Sequence, residues 1–252
     1  MTEDIRGQYR YFLKDSVRLA INFALTDQSR RIPPPPVEKP FLHDSIRIDL
    51  PAREAARHAV RTLDISAAIE NRRSRRTFSP DPLTMEELSF LLRATQGIKK
   101  RVDQGTAYRT VPSAGCRHAL ETYLCVLNIT GLDPGMYRYL PLEHQLLYLY
   151  SDESLSESVV NAALGQPFTA KAAVTFIWTA VPYRMEWRYD IAAHKVILLD
   201  AGHVCQNLYL ACEAVGAGTC AVAAYHQELM DELVQVDGED EFVIYLAPVG
   251  KV

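Results

Sequence analysis

The hydrophobic pattern is densest at residues 172–181, AAVTFIWTAV, a nearly continuous apolar run of strand length. Such a run predicts a central strand covered on both faces. Residues 241–250, EFVIYLAPVG, predict a last strand, and residues 219–225, TCAVAAY, another. Residues 122–129 are β-rich, and residues 136–140 and 145–150 read as two strands joined by a turn containing Pro141. Helical spacing takes over elsewhere. Leu88, Leu91, Leu92 and Thr95 recur on one face, behind a Thr84/Glu87 capping box and ahead of Gly97 as a stop. The longest helix is predicted over residues 194–215. It is apolar around more than half its circumference, so it should be buried, at a subunit interface in part. Shorter helices are predicted over 67–71, 155–164 and 227–234, and within 9–25, where Tyr9, Phe12, Leu13, Val17 and Ile21 keep rough helical spacing.

Strands and helices alternate irregularly, with a hairpin in the middle. That predicts an α+β layered domain, not a regular βαβ array. Residues 1–60 read as an N-terminal arm. They hold the tetraproline Pro33, Pro34, Pro35 and Pro36, which favours an extended polyproline II path, and a second break at Leu50-Pro51. Residues 61–252 read as one compact domain whose elements begin near Ser66.

The 252 residues, 48% of them hydrophobic, suffice for a sizeable core. A net charge of −4 argues against nucleic acid as the partner. Five cysteines without a CxxC point to reduced thiols and a cytoplasmic setting instead of disulfides or structural zinc. The first ten residues, MTEDIRGQYR, lack the pattern of a signal peptide, and no apolar run reaches the length of a membrane span.

Three stretches carry candidate chemistry. NRRSRRTF packs four arginines, Arg72, Arg73, Arg75 and Arg76, into five positions, a fork-shaped donor set suited to phosphate or carboxylate. A solvated charge run is the plain alternative. GAGTCAV, residues 216–222, turns from helix to strand and so lacks the strand-before, helix-after context of a dinucleotide fingerprint. RTVPSAGCRHALETYLCV, residues 109–126, allows Ser113 as a nucleophile with His118 as its base, or Cys116, His118 and Glu121 as metal ligands. PSAG is not GxSxG, and those three lack a recognised metal spacing, so both are weak. His118 and Glu121 then read as a capping or surface pair, and His203 as a core histidine.

RRSRRTF, PSAG, the GAGTC turn after a long helix and the terminal PVGK together resemble the nitroreductase superfamily of FMN enzymes. The stretches PPPP, GMYRYLPLEHQLLYL and LLDAGHVCQNLYLACEAVGAGTC add a resemblance to its SagB-type branch, which includes azoline dehydrogenases of peptide modification. The resemblance implies an α+β nitroreductase fold, a mainly antiparallel sheet flanked by helices, and a helix-mediated homodimer with FMN at the interface. It implies that Arg72, Arg73, Ser74 and Arg76 hold the FMN phosphate, ribityl chain and pyrimidine edge, with Lys251 a further phosphate contact. It implies further that Pro112, Ser113, Ala114 and Gly115 reach the flavin from the partner subunit, and that Gly218, Thr219 and Cys220 lie beside the ring, with Gln166 a further contact. The implied reaction passes hydride through flavin N5, from NAD(P)H to a small-molecule acceptor. A peptide-azoline dehydrogenase using oxygen is the alternative, as is a flavin-binding partner subunit of low activity. The branch often carries a Lys-Tyr pair before the long helix. Here the counterpart is Arg188-Tyr189, which leaves Tyr189 as the candidate acid/base.

Overall fold

The computed structural model describes residues 2–252. Its helices are α1 (Thr2–Phe12), α2 (Arg53–His58), α3 (Ile65–Asn71), α4 (Met85–Gln96), α5 (Leu155–Ala162), α6 (Tyr183–Tyr189), α7 (Ala193–Ala214) and α8 (Gln227–Val234). Its strands are β1 (Arg47–Asp49), β2 (Leu83–Thr84), β3 (Ile98–Arg101), β4 (Ala107–Arg109), β5 (Leu120–Val126), β6 (Ile129–Thr130), β7 (Gly135–Leu140), β8 (Gln145–Tyr150), β9 (Val174–Ala180), β10 (Ala217–Thr219) and β11 (Phe242–Lys251).

Seven strands form one sheet in the order β1-β8-β7-β5-β9-β11-β10, and every adjacent pair is antiparallel. The apolar run over residues 172–181 supplies β9, an inner strand as its composition predicts. Side chains alternate between faces along a strand. Leu120, Leu124, Phe176 and Trp178 therefore enter the cluster that includes α4 and α7, while Tyr123, Cys125 and Ile177 enter the one that includes α5 and α8. The result is a helix–sheet–helix sandwich with an apolar core on each side. The Thr84/Glu87 capping box forms as predicted: Glu87 N–H donates to Thr84 Oγ1 (3.2 Å) and Thr84 N–H to Glu87 Oε2 (2.9 Å).

The structure differs from the sequence reading in several places. The helix expected within 9–25 ends at Phe12 and gives way to 3₁₀ turns at Asp15–Ala20 and Phe23–Leu25. No core lies beneath its apolar stripe, and the Asn22 side chain accepts from Ala24 N–H, favouring a turn. The strand expected over 219–225 stops at Thr219, because Thr219 O accepts from Arg75 N–H (2.8 Å) and Ala221 N–H is drawn to the Tyr209 hydroxyl. Residues of the expected arm are woven into the sheet: β1 pairs with β8, and Val37, Glu38 and Leu50 are buried. The pair expected at the surface, His118 and Glu121, is buried at 5% and 3% exposure.

Burial of Glu121 draws a polar network around the start of β5. Arg184 of α6, itself buried, forms an ion pair with Glu121, and Lys39 N–H donates to Glu121 Oε1 (2.7 Å). Arg184 and Arg138 hold the Glu121 carboxyl below its usual range despite the desolvation that opposes them. Arg138 also donates to Lys39 O (2.9 Å), and Arg109 to Val37 O (2.7 Å), so two buried guanidinium groups grip the backbone of residues 37–39. Beside them, burial pushes the Glu38 carboxyl up to about 7, from an ordinary 4.5.

A carboxyl whose pKa is raised on folding destabilises the protein as pH climbs, because the folded state must give up a proton it holds more tightly than the unfolded chain does. The loss begins near the unfolded value and is complete above about 7. Glu38→Gln is therefore expected to be more stable than the wild type at pH 7.5, by on the order of 2 kcal/mol, and nearly equal to it at pH 4.5. Urea unfolding at the two pH values checks this; a less stable Gln variant at pH 7.5 would mean that Glu38 is held as a carboxylate by Arg138.

Candidate functional site

Helix α7 organises the candidate residues. Near its C-terminal end, Tyr209 gathers two of the singled-out stretches. Its hydroxyl hydrogen-bonds Ser74 Oγ (3.0 Å) and accepts from Ala221 N–H (2.8 Å), and the Arg72 guanidinium lies 5.3 Å from its ring centroid. Ser74 also bridges Thr219 in parallel fashion, and Arg75 N–H donates to Thr219 O. The arginine segment and the turn after α7 are thus one unit. Gly218 belongs to this packing: a Cβ there would stand 2.5 Å from Arg75 Cδ. Gly216, at φ +63°, ends α7 as the predicted stop.

The arginines of this unit differ in what they touch. Among the described residues, Arg72, Arg73 and Arg76 form no ion pair with a carboxylate. Lys251 is committed within the fold. Its ammonium pairs with Glu87 and donates to Val215 O (2.8 Å). The Thr219 hydroxyl donates to Pro248 O (2.8 Å), and Cys220 is buried. Gln166 donates to Ala163 O (2.8 Å) and Ala224 O (2.9 Å), tying the loop after Cys220 to the end of α5.

The segment 112–115 occupies the other end of α7. Asp200 and Ser113 line one small cavity with Pro112 and His118, while Ser113 Oγ accepts from His118 N–H (2.9 Å). The His118 ring is pushed down to about 3, chiefly by burial and then by the Arg109 charge. Neither residue is equipped as a nucleophile–base pair. Burial pushes the Asp200 carboxyl up, opposed by the nearby Ser113 hydroxyl and Ala114 N–H, and its Oδ2 has no partner.

Gly115 stands at φ +58°, and a Cβ there would lie 2.6 Å from the Tyr189 hydroxyl and 3.1 Å from Arg188 Cδ. The Arg188-Tyr189 pair and the 112–115 turn therefore meet, 74 positions apart in sequence. Arg117 flanks the same turn, donating to Gly115 O (3.3 Å) and lying 5.1 Å from the Trp187 ring centroid.

These two groups do not face one another within a chain. Asp200 and Tyr209 are nine positions apart on α7. A helix of 3.6 residues per turn puts them on opposite sides, about 13 Å apart along its axis. On the same helix, before Asp200 and between it and Tyr209, α7 exposes Leu198 (50%), Leu199 (57%), Gly202, His203 and Gln206, so His203 is not the core histidine its helical setting predicts. The expectation of a wholly buried α7 is thus met on one face only. Asp200 and Tyr209 escaped the sequence reading because each is a single polar residue within a helical pattern, with partners 87 and 135 positions away.

Comparison with known proteins identifies the family and the fold. Residues 69–251 match the nitroreductase family. MJ1384 of Methanocaldococcus jannaschii, whose name carries the nitroreductase designation, is 31% identical over 208 residues, covering 82% of this chain and 98% of its own. The trifolitoxin-processing protein TfxB of Rhizobium leguminosarum bv. trifolii is 26% identical over 173 residues, 63% of this chain; the match spans 44% of TfxB. A crystal structure from Ralstonia eutropha JMP134, also designated a nitroreductase, superposes with a TM-score of 0.66 at 24% identity, over 87% of this chain and 98% of the other. It shares the fold, with its antiparallel sheet between helices.

Tyr209→Phe removes the hydroxyl that joins Ser74 to Ala221 and leaves a half-buried amide without its acceptor. The expected cost is about 1–3 kcal/mol in denaturant unfolding. Faster hydrogen exchange should be confined to residues 72–75 and 219–222. Unchanged exchange at Ala221 would show that the hydroxyl does not hold the turn.

Proposed function

This chain belongs to the nitroreductase family of oxidoreductases, and we propose that it works as an FMN-dependent member whose two active sites form between the subunits of a homodimer. The observation that carries this reading is the division of the candidate residues across α7. One end presents arginines that, among the described residues, no carboxylate neutralises; the other presents a small-residue turn beside Tyr189. Neither half makes a cofactor site alone. A second copy docked on the exposed face of α7 would bring the 112–115 turn of one subunit to the arginine cluster of the other.

The residues present fit a phosphate-bearing flavin. Arg72, Arg73 and Arg76 offer forked, permanently charged donors for a dianionic phosphate and the polar chain attached to it. Ser74, anchored to Tyr209, adds a hydroxyl at fixed position. Pro112, Ala114 and Gly115 leave room for a flat ring, and the hydrogen bond from His118 N–H to Ser113 Oγ ties that turn to the start of β5. Gly218, Thr219 and Cys220 are proposed to border the ring on the arginine side. Gln166 shapes that border through the loop it tethers, and Lys251 buttresses the turn from behind instead of reaching the phosphate. Bound there, FMN would supply two-electron hydride chemistry. NAD(P)H is the donor we propose, with a small molecule as acceptor. Tyr189, its hydroxyl at the edge of the 112–115 turn, is placed to hold or move a proton on that acceptor.

A second reading has a specific observation behind it. The similarity to a trifolitoxin-processing protein favours oxidation of azolines in a peptide, with oxygen as acceptor. Arg188 opposes that chemistry, since a guanidinium stays protonated and cannot serve as a base. Tyr189 would have to carry the proton transfer alone.

Purified protein should be yellow, and anaerobic NADH or NADPH should bleach it. A colourless protein that takes up no added FMN would overturn the reading, whereas a flavin that neither donor reduces would shift it to the azoline dehydrogenase. Arg72→Ala combined with Arg76→Ala should weaken FMN binding by at least about tenfold, as expected for loss of charge-assisted hydrogen bonds. Stoichiometric flavin in that variant would remove the two arginines from the site.

A further inference from the structure

One concave surface plays no part in the chemistry proposed above. Between α2, α4 and β3 lies a cavity of about 640 Å³, within the range that small-molecule sites occupy. Its charged lining is wholly cationic: Arg53 and Arg57 from α2, Arg93 from α4 and Lys99 from β3. This concentration stands out in a chain of net charge −4. Arg53 and Arg57 are four positions apart on one helix, where like charges repel. Among the described residues none of the four forms an ion pair, and Arg93 Nε is buried with no hydrogen-bond partner. A focused positive field of this kind, left unbalanced by the protein itself, favours an anion of more than one charge.

The remaining wall is apolar. Val60, Phe90, Ala94 and Ile98 line it, with Thr110 at one side. A bare inorganic anion gains nothing from that surface, whereas a flat, weakly polar group attached to the charge gains from burial and from the Phe90 ring. An acidic peptide would need an extended groove with backbone partners; this is a single cavity.

We infer that the cavity binds a phosphorylated nucleoside, with its phosphates on the arginines of α2 and Arg93 and its base against Phe90. Two sources supply this chemistry: a free nucleotide, or the phosphorylated adenosine half of a pyridine dinucleotide. Thr110 stands two residues before Pro112, about 7 Å of extended chain. The cavity therefore lies beside the turn proposed to meet the flavin. In its dinucleotide form the inference rests on the NAD(P)H reading given above.

Calorimetric titration of the purified holoprotein with AMP, 2′-phospho-ADP-ribose and inorganic phosphate tests the site. Both nucleotides should bind saturably, at least about tenfold tighter than phosphate, and the Arg53→Ala/Arg57→Ala variant should lose at least about tenfold in affinity. Both arginines are exposed, so the variant should keep its circular dichroism and its flavin content. Absence of saturable binding, equal affinity for AMP and phosphate, or unchanged binding in the variant would overturn the inference. So would loss of flavin from the variant, which would assign these arginines to the flavin itself. If 2′-phospho-ADP-ribose raises the KM for NADPH at constant kcat, the donor is the source. If the nucleotides bind without touching NADPH kinetics, a free nucleotide is; either result keeps the site. A protein that takes up no flavin yet binds AMP in this way would lose the function proposed above and retain this one.

Discussion

A carboxylate sealed inside a protein is tolerated only where a cation meets it, and Glu121 sets that condition for half of this molecule. It is the second residue of β5, an inner strand, and its partner Arg184 lies on α6, equally buried. Breaking one side of such a pair leaves an uncompensated charge, at a cost of about 3–5 kcal/mol. The geometry of α6 against the sheet is therefore tightly specified. Five residues beyond Arg184, at the end of the same helix, Tyr189 meets Gly115. The pair that closes the core thus also positions the candidate proton carrier against the candidate flavin-facing turn. Lys39 N–H donates to the same carboxylate, so the N-terminal segment is held by the same charge.

At the other end, order comes from a neutral group. The Tyr209 hydroxyl joins a loop to a turn through ordinary hydrogen bonds, and the arginines around it keep their charges uncommitted. The contrast with Lys251 is instructive. Its charge is consumed by Glu87, the same residue that completes the cap of α4. One cation works as a structural tie and the cluster nearby remains available to a ligand, although all of them belong to motifs of similar appearance in the chain.

Elements with strong local periodicity were legible in the sequence: β9 from its continuous apolar run, the β7–β8 hairpin, α4 from its capping box, and the length of α7. The edge strand β1 was not, because three residues with one apolar position leave no pattern to read. The burial of Glu121 was hidden for a related reason. A glutamate six residues beyond the exposed Gly115 looks like surface until a distant arginine is known to face it. Local motifs likewise disclosed most candidate site residues but not their mutual placement. The pairings Ser74–Tyr209, Ser113–Asp200 and Gly115–Tyr189 link positions far apart in the chain, so they arise from topology, which no local spacing encodes. The stop of β10 at Thr219 belongs here too, since it is imposed by Arg75 and Tyr209 from elsewhere in the fold.

Gly202 sits in the middle of α7, exposed, with nothing within 4 Å of where a Cβ would be. A glycine in a helix interior weakens the helix by roughly 1 kcal/mol relative to alanine, and no neighbour in its own chain recoups that. In an isologous pairing about a two-fold axis, residues near the axis meet their own counterparts. With α7 paired in that way, the bare backbone at Gly202 would permit closest approach where the two helices cross. A side chain introduced there would then act twice at one point, wedging both subunits apart and widening both active sites together.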